Sequence, residues 1–222
     1  MAEMNPTIYR ERMSKFTATA EERSQFALNV YRPMPVQLQA HLSPATEILM
    51  RGGKRSGKSI WAAAHVAAFC TGLPIFGPDD KPIKTNWSTP SKDRPLTVWL
   101  IGWDEDHIGQ TIYRLLFEKG MRNSLRTIRD ELTGKWRTYN EADLRDSKRF
   151  EQSVLAGPMI PESYIEGWSW DANASRVFES CRLINGTIIY AFPSSSRHAK
   201  QGDAVDLIWI DEDLQHPEHY DE

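Results

Sequence analysis

Apolar residues in this chain are gathered in short runs that polar loops separate. Residues 96–102 and 207–210 are continuous apolar runs of the kind that forms buried strands. Residues 59–69 are rich in alanine and favour a helix, and Asp104 can cap a second helix that runs to about Lys119. Strands alternating with helices predict an α/β fold in which helices flank a parallel-rich sheet.

Glycine and proline mark the ends of several predicted elements. Gly-Leu-Pro at 72–74 predicts the end of the alanine-rich helix. Pro-Met-Pro at 33–35 predicts an extended approach to a helix that begins near residue 36. Asn-Gly at 185–186 predicts a hairpin between strands at about 176–178 and 183–192.

The chain divides into an N-terminal helical segment, residues 1–45, and one α/β core, residues 46–222. Periodicity is weak between residues 120 and 170, where Lys and Arg mix with Asp and Glu. This weak region predicts an insertion within the core. Its tryptophans Trp136, Trp168 and Trp170 could stack bases or fill the core.

Composition restricts the class of protein only moderately. With 222 residues, 40% hydrophobic and 26% charged, the chain has the size and balance of a globular protein with one good core. A net charge of -3 argues against a globally basic nucleic-acid coat but leaves a local basic surface open. Cys70 and Cys181 lack metal-ligand spacing and predict reduced core thiols in a cytosolic protein. The sequence has no apolar run near eighteen residues and no signal peptide, so nothing in it predicts a membrane segment.

The most specific motif is G-x-x-x-x-G-K-S, which lies between an apolar run at residues 47–50 and the alanine-rich helix. Strand, glycine-rich turn and helix are the context of a phosphate-binding P-loop, although an eight-residue pattern also arises by chance. Backbone N–H groups of such a loop point at an anion, and the helix N-terminus adds positive potential. Lys58 would reach the β- and γ-phosphates, and the Ser59 hydroxyl would hold Mg²⁺. The predicted nucleotide-binding residues of the loop are Gly52, Gly53, Lys54, Arg55, Ser56, Gly57, Lys58 and Ser59.

A second motif, Leu-Ile-Trp-Ile-Asp-Glu at 207–212, has the form of a Walker B strand. Asp211 is the predicted Mg²⁺ partner, and Glu212 is the predicted base that polarises the attacking water. An apolar strand that ends in acids can also be a sheet edge running into a loop. Both motifs in this order predict nucleotide binding.

Two further polar features could serve such a site. The Gln37 amide could contact the N6 and N7 edge of adenine, or could be a solvated helix position. Arg197 and Lys200 lie in the polar loop at 194–202, near the expected carboxyl edge of the sheet. They are candidates for a neighbouring subunit's γ-phosphate or a nucleic-acid backbone, with a solvated basic loop as the alternative.

With both motifs in place, the chain resembles the N-terminal ATPase domain of large terminase subunits, the DNA-packaging motors of tailed bacteriophages. The resemblance extends over residues 33–212, although the middle third matches only in general character. Four stretches carry it, namely residues 33–41, 51–59, 185–190 with the loop that follows, and 207–212.

The resemblance implies a RecA-like P-loop core and roles for particular residues. It implies that Gln37 contacts adenine and that Arg55 acts in cis on the phosphates. It also implies a basic residue of the 194–202 loop acting in trans, with Arg197 as first choice and Lys200 as the alternative. In the family this residue often directly precedes the loop glycine, where this chain has Gln201.

The function so implied is Mg²⁺-dependent ATP hydrolysis that drives double-stranded viral DNA into a procapsid. The implied partners are DNA, the portal protein and the small terminase subunit, with the chain as a monomer in solution or a homo-oligomeric ring on the portal. The implied location is the cytoplasm of an infected bacterium and, transiently, the procapsid portal. The family's coupling motif and nuclease domain have no counterpart here, so the sequence predicts an excised ATPase fragment without nuclease activity. Two alternatives stay open, a helicase-like ATPase and an ATP-binding assembly module with little turnover.

Overall fold

The computed structural model describes residues 26–87, 90–123, 125–170, 178–195 and 204–212. The strands are β1 (Thr97–Gly102), β2 (Arg126–Arg129), β3 (Trp136–Thr138), β4 (Val154–Leu155), β5 (Ile165–Trp170), β6 (Phe178–Leu183), β7 (Ile188–Pro193) and β8 (Leu207–Ile210). The α-helices are α1 (Ala27–Val30), α2 (Pro35–Leu42), α3 (Lys58–Thr71), α4 (Glu105–His107), α5 (Arg114–Phe117), α6 (Gly120–Asn123) and α7 (Leu144–Ser147). A π-helical segment, Ile108–Tyr113, joins α4 to α5, and 3-10 turns lie at Phe150–Gln152 and Glu162–Tyr164.

The central sheet has five strands in the order β5-β6-β7-β1-β8. β1 runs parallel to both β7 and β8, whereas β6 is antiparallel to β5 and to β7. The Asn-Gly hairpin explains this change of direction, because a tight turn at Gly186 (φ 87°) can join only antiparallel neighbours. The α/β class is therefore confirmed and the hairpin is observed, but the sheet is mixed.

The long helix α3 packs against α5 and against the edge strand β8. Its small side chains, including Ala63, Ala64 and Ala67, are fully buried, so the helix can approach α5 and β8 closely. It ends where Gly72 (φ 72°) donates its N–H to the Ala68 carbonyl at 2.9 Å, as the sequence predicts. None of the described helices has the length and apolar character needed to cross a membrane.

The helix predicted after β1 begins at its predicted cap. The Asp104 carboxylate accepts a hydrogen bond from the His107 backbone N–H at 2.7 Å. The helical segment then continues through the π-helical turns to Phe117, two residues short of the predicted end at Lys119.

The predicted strand before the glycine-rich loop is not formed. Residues 47–50 belong to no strand in the described part of the chain. Ile48 and Met50 pack against the core, whereas Leu49 is 74% exposed, so the side chains alternate as in a strand. A strand also needs a hydrogen-bonded neighbour, and four alternating residues do not supply one.

Residues 120–170 contain a second, smaller sheet in the order β3-β2-β4, which is antiparallel throughout. An ion pair links β3 to α7. Both terminal nitrogens of Arg137 lie 2.7 Å from the carboxylate of the buried Asp146. Trp168 of β5 packs against Phe117 and Phe178 of the central layer, with ring centroids 4.8 and 5.6 Å away. Trp168 is therefore packed against the core, which favours the core-filling alternative for this tryptophan.

The described part of the N-terminal segment is helical. α2 begins at Pro35, close to the predicted start, whereas residues 1–25 lie outside the described residues. Cys70 and Cys181 are buried free thiols, in agreement with the sequence, and burial raises the pKa of both.

Candidate phosphate-binding site

The glycine-rich loop, residues 51–57, leads directly into the N-terminus of α3. Gly57 caps the helix with φ 81°, and its carbonyl accepts the first helical hydrogen bond from the Trp61 N–H at 3.0 Å. A Cβ at residue 57 would lie 2.8 Å from Nε2 of Gln37 and 3.1 Å from Cε of Met34. Glycine is therefore required at residue 57 both by the backbone conformation and by the space available.

The Lys58 side chain folds back over this loop. Its Nζ donates hydrogen bonds to the carbonyl oxygens of Gly52 at 2.8 Å and Gly53 at 3.1 Å, and lies 3.5 Å from the Ser56 hydroxyl. The ammonium group is thus held at the mouth of the loop and at the start of a helix. An anion there would meet both a full positive charge and the helix dipole.

Other basic side chains add to the positive potential of the loop. Arg51, Lys54 and Arg55 are exposed and precede Lys58 by seven, four and three residues. Arg55 has a left-handed backbone conformation, φ 62°, which is uncommon for a residue with a side chain. The loop therefore carries three exposed basic side chains besides Lys58.

The acidic motif meets this loop at the edge of the central sheet. β8 pairs with β1 up to Ile210, and the Asp211 N–H donates to the Ile101 carbonyl at 3.0 Å. The Asp211 carboxylate then accepts a hydrogen bond from the Ser59 hydroxyl at 3.3 Å, across a separation of 152 residues. The two motifs that the sequence singled out therefore converge at one point.

Glu212 follows Asp211 and turns towards solvent. Its backbone is left-handed, φ 79°, and its side chain is 60% exposed. A left-handed conformation costs a residue with a Cβ about 1 kcal/mol, and such strained residues are enriched at functional sites. The Glu212 carboxylate is accessible from solvent beside Asp211.

Sequence patterns did not predict that a third side chain, His107, lies beside Asp211 and Glu212. Its Nε2 lies 2.9 Å from Oδ2 of Asp211, and its Nδ1 lies 3.9 Å from Oε1 of Glu212. The hydrogen bond to Asp211 raises the pKa of His107 and burial opposes that shift, while the charges of Asp211, Glu212 and Asp104 add to it. The one feature of the sequence that could have indicated a role for His107 is its position shortly after β1. That position indicates a role only when β1 and β8 are known to be neighbouring strands.

Gln37 is 4% exposed, so the solvated alternative is excluded, and its amide is engaged within the protein. Its Oε1 accepts from the Met34 backbone N–H at 2.8 Å, and its Nε2 donates to the Gly57 carbonyl at 2.9 Å. The side chain thereby ties α2 to the last residue of the glycine-rich loop. Its contact with adenine stays a prediction.

A series of hydrogen-bonded polar side chains, Tyr31, His41 and His65, leads from Gln37 into the protein. The Tyr31 hydroxyl lies 3.4 Å from Oε1 of Gln37 and 3.1 Å from Nε2 of His41, and Nδ1 of His41 lies 3.2 Å from Nδ1 of His65. Burial lowers the pKa of His41 to about 3, with a smaller contribution from the charge of His65, and lowers the pKa of His65 to about 4. Both imidazoles are therefore neutral at pH 7, and the series is a set of neutral hydrogen bonds.

The loop after β7 starts beside the same edge. Ser194 donates its N–H to the Gly102 carbonyl at 2.7 Å and its hydroxyl hydrogen to the Trp103 carbonyl at 3.0 Å. Arg197 and Lys200, the two candidates for a trans-acting residue, lie outside the described residues.

Oxygen ligands at this point fit Mg²⁺. The ion prefers a few protein oxygens and takes its other ligands from phosphates and water, and Ser59 with Asp211 offers such a pair. Among the described side chains, no group of three or more His, Cys, Asp or Glu residues is arranged to hold a metal ion by itself. Comparisons with protein-family models, with curated proteins and with solved structures found no match to this chain.

Proposed function

We propose that this chain is a Mg²⁺-dependent ATPase whose site lies between the glycine-rich loop and the end of β8. The observation that carries the proposal is the contact between the Ser59 hydroxyl and the Asp211 carboxylate, 3.3 Å apart. If both motifs were chance matches, the fold would have no reason to bring Ser59 and Asp211, which are 152 residues apart, into contact. Phosphoryl transfer needs these two groups side by side.

Binding of the phosphates rests on Lys58 and the loop backbone. The Lys58 Nζ is held by two loop carbonyls, and a phosphate oxygen would replace these neutral acceptors with a charged one. Gln37 supports the loop through the Gly57 carbonyl, and we propose that it also contacts adenine. Arg55 is exposed in the same loop, and we propose that it acts in cis on the phosphates.

Hydrolysis rests on the two acids. Ser59 and Asp211 would hold Mg²⁺, which supplies charge neutralisation on the β- and γ-phosphate oxygens. Glu212 is exposed beside Asp211, where its carboxylate would orient and polarise the attacking water. A trans-acting basic residue, Arg197 or Lys200, would complete the site from a neighbouring subunit.

The resemblance to large terminase subunits supports a narrower proposal, that hydrolysis drives duplex DNA into a procapsid. DNA, a portal protein and a small terminase subunit are the partners this implies, in the cytoplasm of an infected bacterium. The narrower proposal predicts translocation along duplex DNA without strand separation. Strand separation in an unwinding assay would instead favour the helicase-like alternative.

Steady-state ATP hydrolysis across a series of protein concentrations tests the proposal. We expect Mg²⁺-dependent turnover by the wild-type chain, none by Lys58→Ala, and a fall of about 10² or more in Glu212→Ala with ATP binding retained. Lys84→Ala is the matched control, because it removes an exposed positive charge that lies outside the glycine-rich loop.

Near-normal turnover in Glu212→Ala would remove that residue from its proposed role, and ATP binding without turnover would favour the assembly module. Turnover rising more than linearly with protein concentration would support a site that a neighbouring subunit completes. A linear dependence would indicate a self-sufficient site.

A further inference from the structure

His107 lies between the two acids and belongs to neither of the motifs that identify the site. Its side chain is 15% exposed, similar to the 16% of Asp211, whereas Glu212 is 60% exposed. It reaches Asp211 through Nε2 and faces Glu212 through Nδ1, at 2.9 and 3.9 Å. The imidazole is therefore a largely buried link between the end of α4 and the end of β8.

The two oxygens of Asp211 have separate partners. Oδ1 accepts from the Ser59 hydroxyl, and Oδ2 faces Nε2 of His107. A carboxylate held through one oxygen alone can rotate about its last side-chain bond, whereas two partners on different sides fix it. His107 therefore fixes the orientation of the Asp211 carboxylate relative to the Ser59 hydroxyl.

His107 is itself held in place by the way α4 approaches β1. The Asp104 carboxylate accepts from its backbone N–H at 2.7 Å, and the next residue, Ile108, is fully buried. Gly102 makes this approach possible, because a Cβ there would lie 2.8 Å from Cγ1 of Ile108 and 3.3 Å from Cδ2 of His107. A larger residue at 102 would push the imidazole away from the acids.

We propose that His107 is a positioning residue that holds Oδ2 of Asp211, so that Oδ1 and the Ser59 hydroxyl face one Mg²⁺ position. The inference rests on the proposed function, since it concerns the metal of that same site. Partners that orient a metal-binding side chain typically contribute 10- to 100-fold to metal affinity or activity. The loss on removing His107 should therefore appear in the Mg²⁺ dependence and not in the contacts of the nucleotide itself.

The test is the affinity of a fluorescent ATP analogue for the full chain, measured with EDTA and across a Mg²⁺ titration. We expect His107→Ala to raise the Mg²⁺ concentration for half-maximal enhancement of binding by about 10-fold or more, with binding in EDTA unchanged. His107→Gln should restore most of the wild-type Mg²⁺ dependence, because the glutamine amide can place an N–H near the position of Nε2. Glu105→Gln, an exposed change in the same helical turn, is the matched control.

An unchanged Mg²⁺ dependence in His107→Ala would overturn the inference, as would an equal loss of binding in EDTA. Failure of His107→Gln to recover the Mg²⁺ dependence would also overturn it, since the bulk of the ring rather than its N–H would then matter. Wild-type binding that Mg²⁺ enhances leaves the proposed function intact in each of these cases. No binding of the analogue by the wild-type chain would overturn the proposed function and this inference together.

Discussion

Gly57 offers the sharpest test of the geometry around the glycine-rich loop. Alanine at this position would have to adopt φ 81°, and its Cβ would lie 2.8 Å from Nε2 of Gln37. The left-handed conformation costs roughly 1–2 kcal/mol. Displacing the Gln37 amide from the Gly57 carbonyl costs about 1 kcal/mol more.

These two costs give about 2–3 kcal/mol for Gly57→Ala. If ATP binds only this conformation of the loop, the strain lowers the population of that conformation. The apparent affinity for ATP then falls by the same factor. At 1.4 kcal/mol for each tenfold change, the expected loss of ATP affinity is roughly 30- to 150-fold. The free energy of unfolding should fall by no more than the same 2–3 kcal/mol, on the order of the strain.

Gly167→Ala in β5 is the matched control, because it lies outside the loop and no atom lies within 4 Å of a Cβ built at that residue. Such a change should stay within about 0.5 kcal/mol, or about twofold in affinity. Calorimetric titration with ATP gives the affinities, and urea unfolding separates them from a loss of global stability. Equal ATP affinities for Gly57→Ala and Gly167→Ala would refute the strain expected at Gly57.

Two further predictions concern stability. Asp146→Asn should lower the free energy of unfolding by about 2 kcal/mol at pH 7, because Arg137 loses its bidentate partner; unchanged urea unfolding would contradict this. Arg137 also lowers the pKa of Asp146, so this stabilisation is present above the unfolded pKa of about 4 and is lost as the pH falls through the folded value. His41 and His65 shift stability in the same direction, because their folded pKa values of about 3 and 4 also lie below the unfolded value. The unfolded chain takes up these protons first, so stability should fall by up to about 1.4 kcal/mol per pH unit per histidine as the pH falls from 6.5 to about 4, and His65→Gln should flatten that slope.

Local patterns predicted the elements that carry the site. β8 and α3 are short apolar or alanine-rich runs with clear ends, and the Asn-Gly pair gives the hairpin before β7. These features depend on residues near one another in sequence, which a pattern can reveal. The prediction of an α/β fold rests on them and is confirmed.

Sequence patterns did not predict the features that depend on distant parts of the chain. Residues 47–50 have strand periodicity, but pairing needs a neighbour that the segment itself does not specify. The small sheet of β2, β3 and β4 has strands of two to four residues, too short for a clear period. His107 joins the site only because β1 and β8 are adjacent, and strand order cannot be read from either strand alone.

Gln37 shows a different gap between pattern and structure. Its position before the loop suggested a contact with adenine, but the side chain proved to be buried and bonded to the loop backbone at Gly57. An amide with both a donor and an acceptor can serve structure and ligand alike. The presence of an amide in the sequence therefore does not by itself show whether the amide bonds to the protein backbone or to a ligand.

The most direct test of the central claim is the equilibrium affinity of the wild-type chain and of Lys58→Ala for ATP in the presence of Mg²⁺. We expect measurable Mg²⁺-dependent binding by the wild type. For Lys58→Ala we expect a loss of roughly 10- to 150-fold, the scale of one charge-assisted hydrogen bond of about 1.5–3 kcal/mol. Equal affinities in the two proteins, or no binding by the wild type, would contradict the claim that the glycine-rich loop and the end of β8 form a nucleotide site.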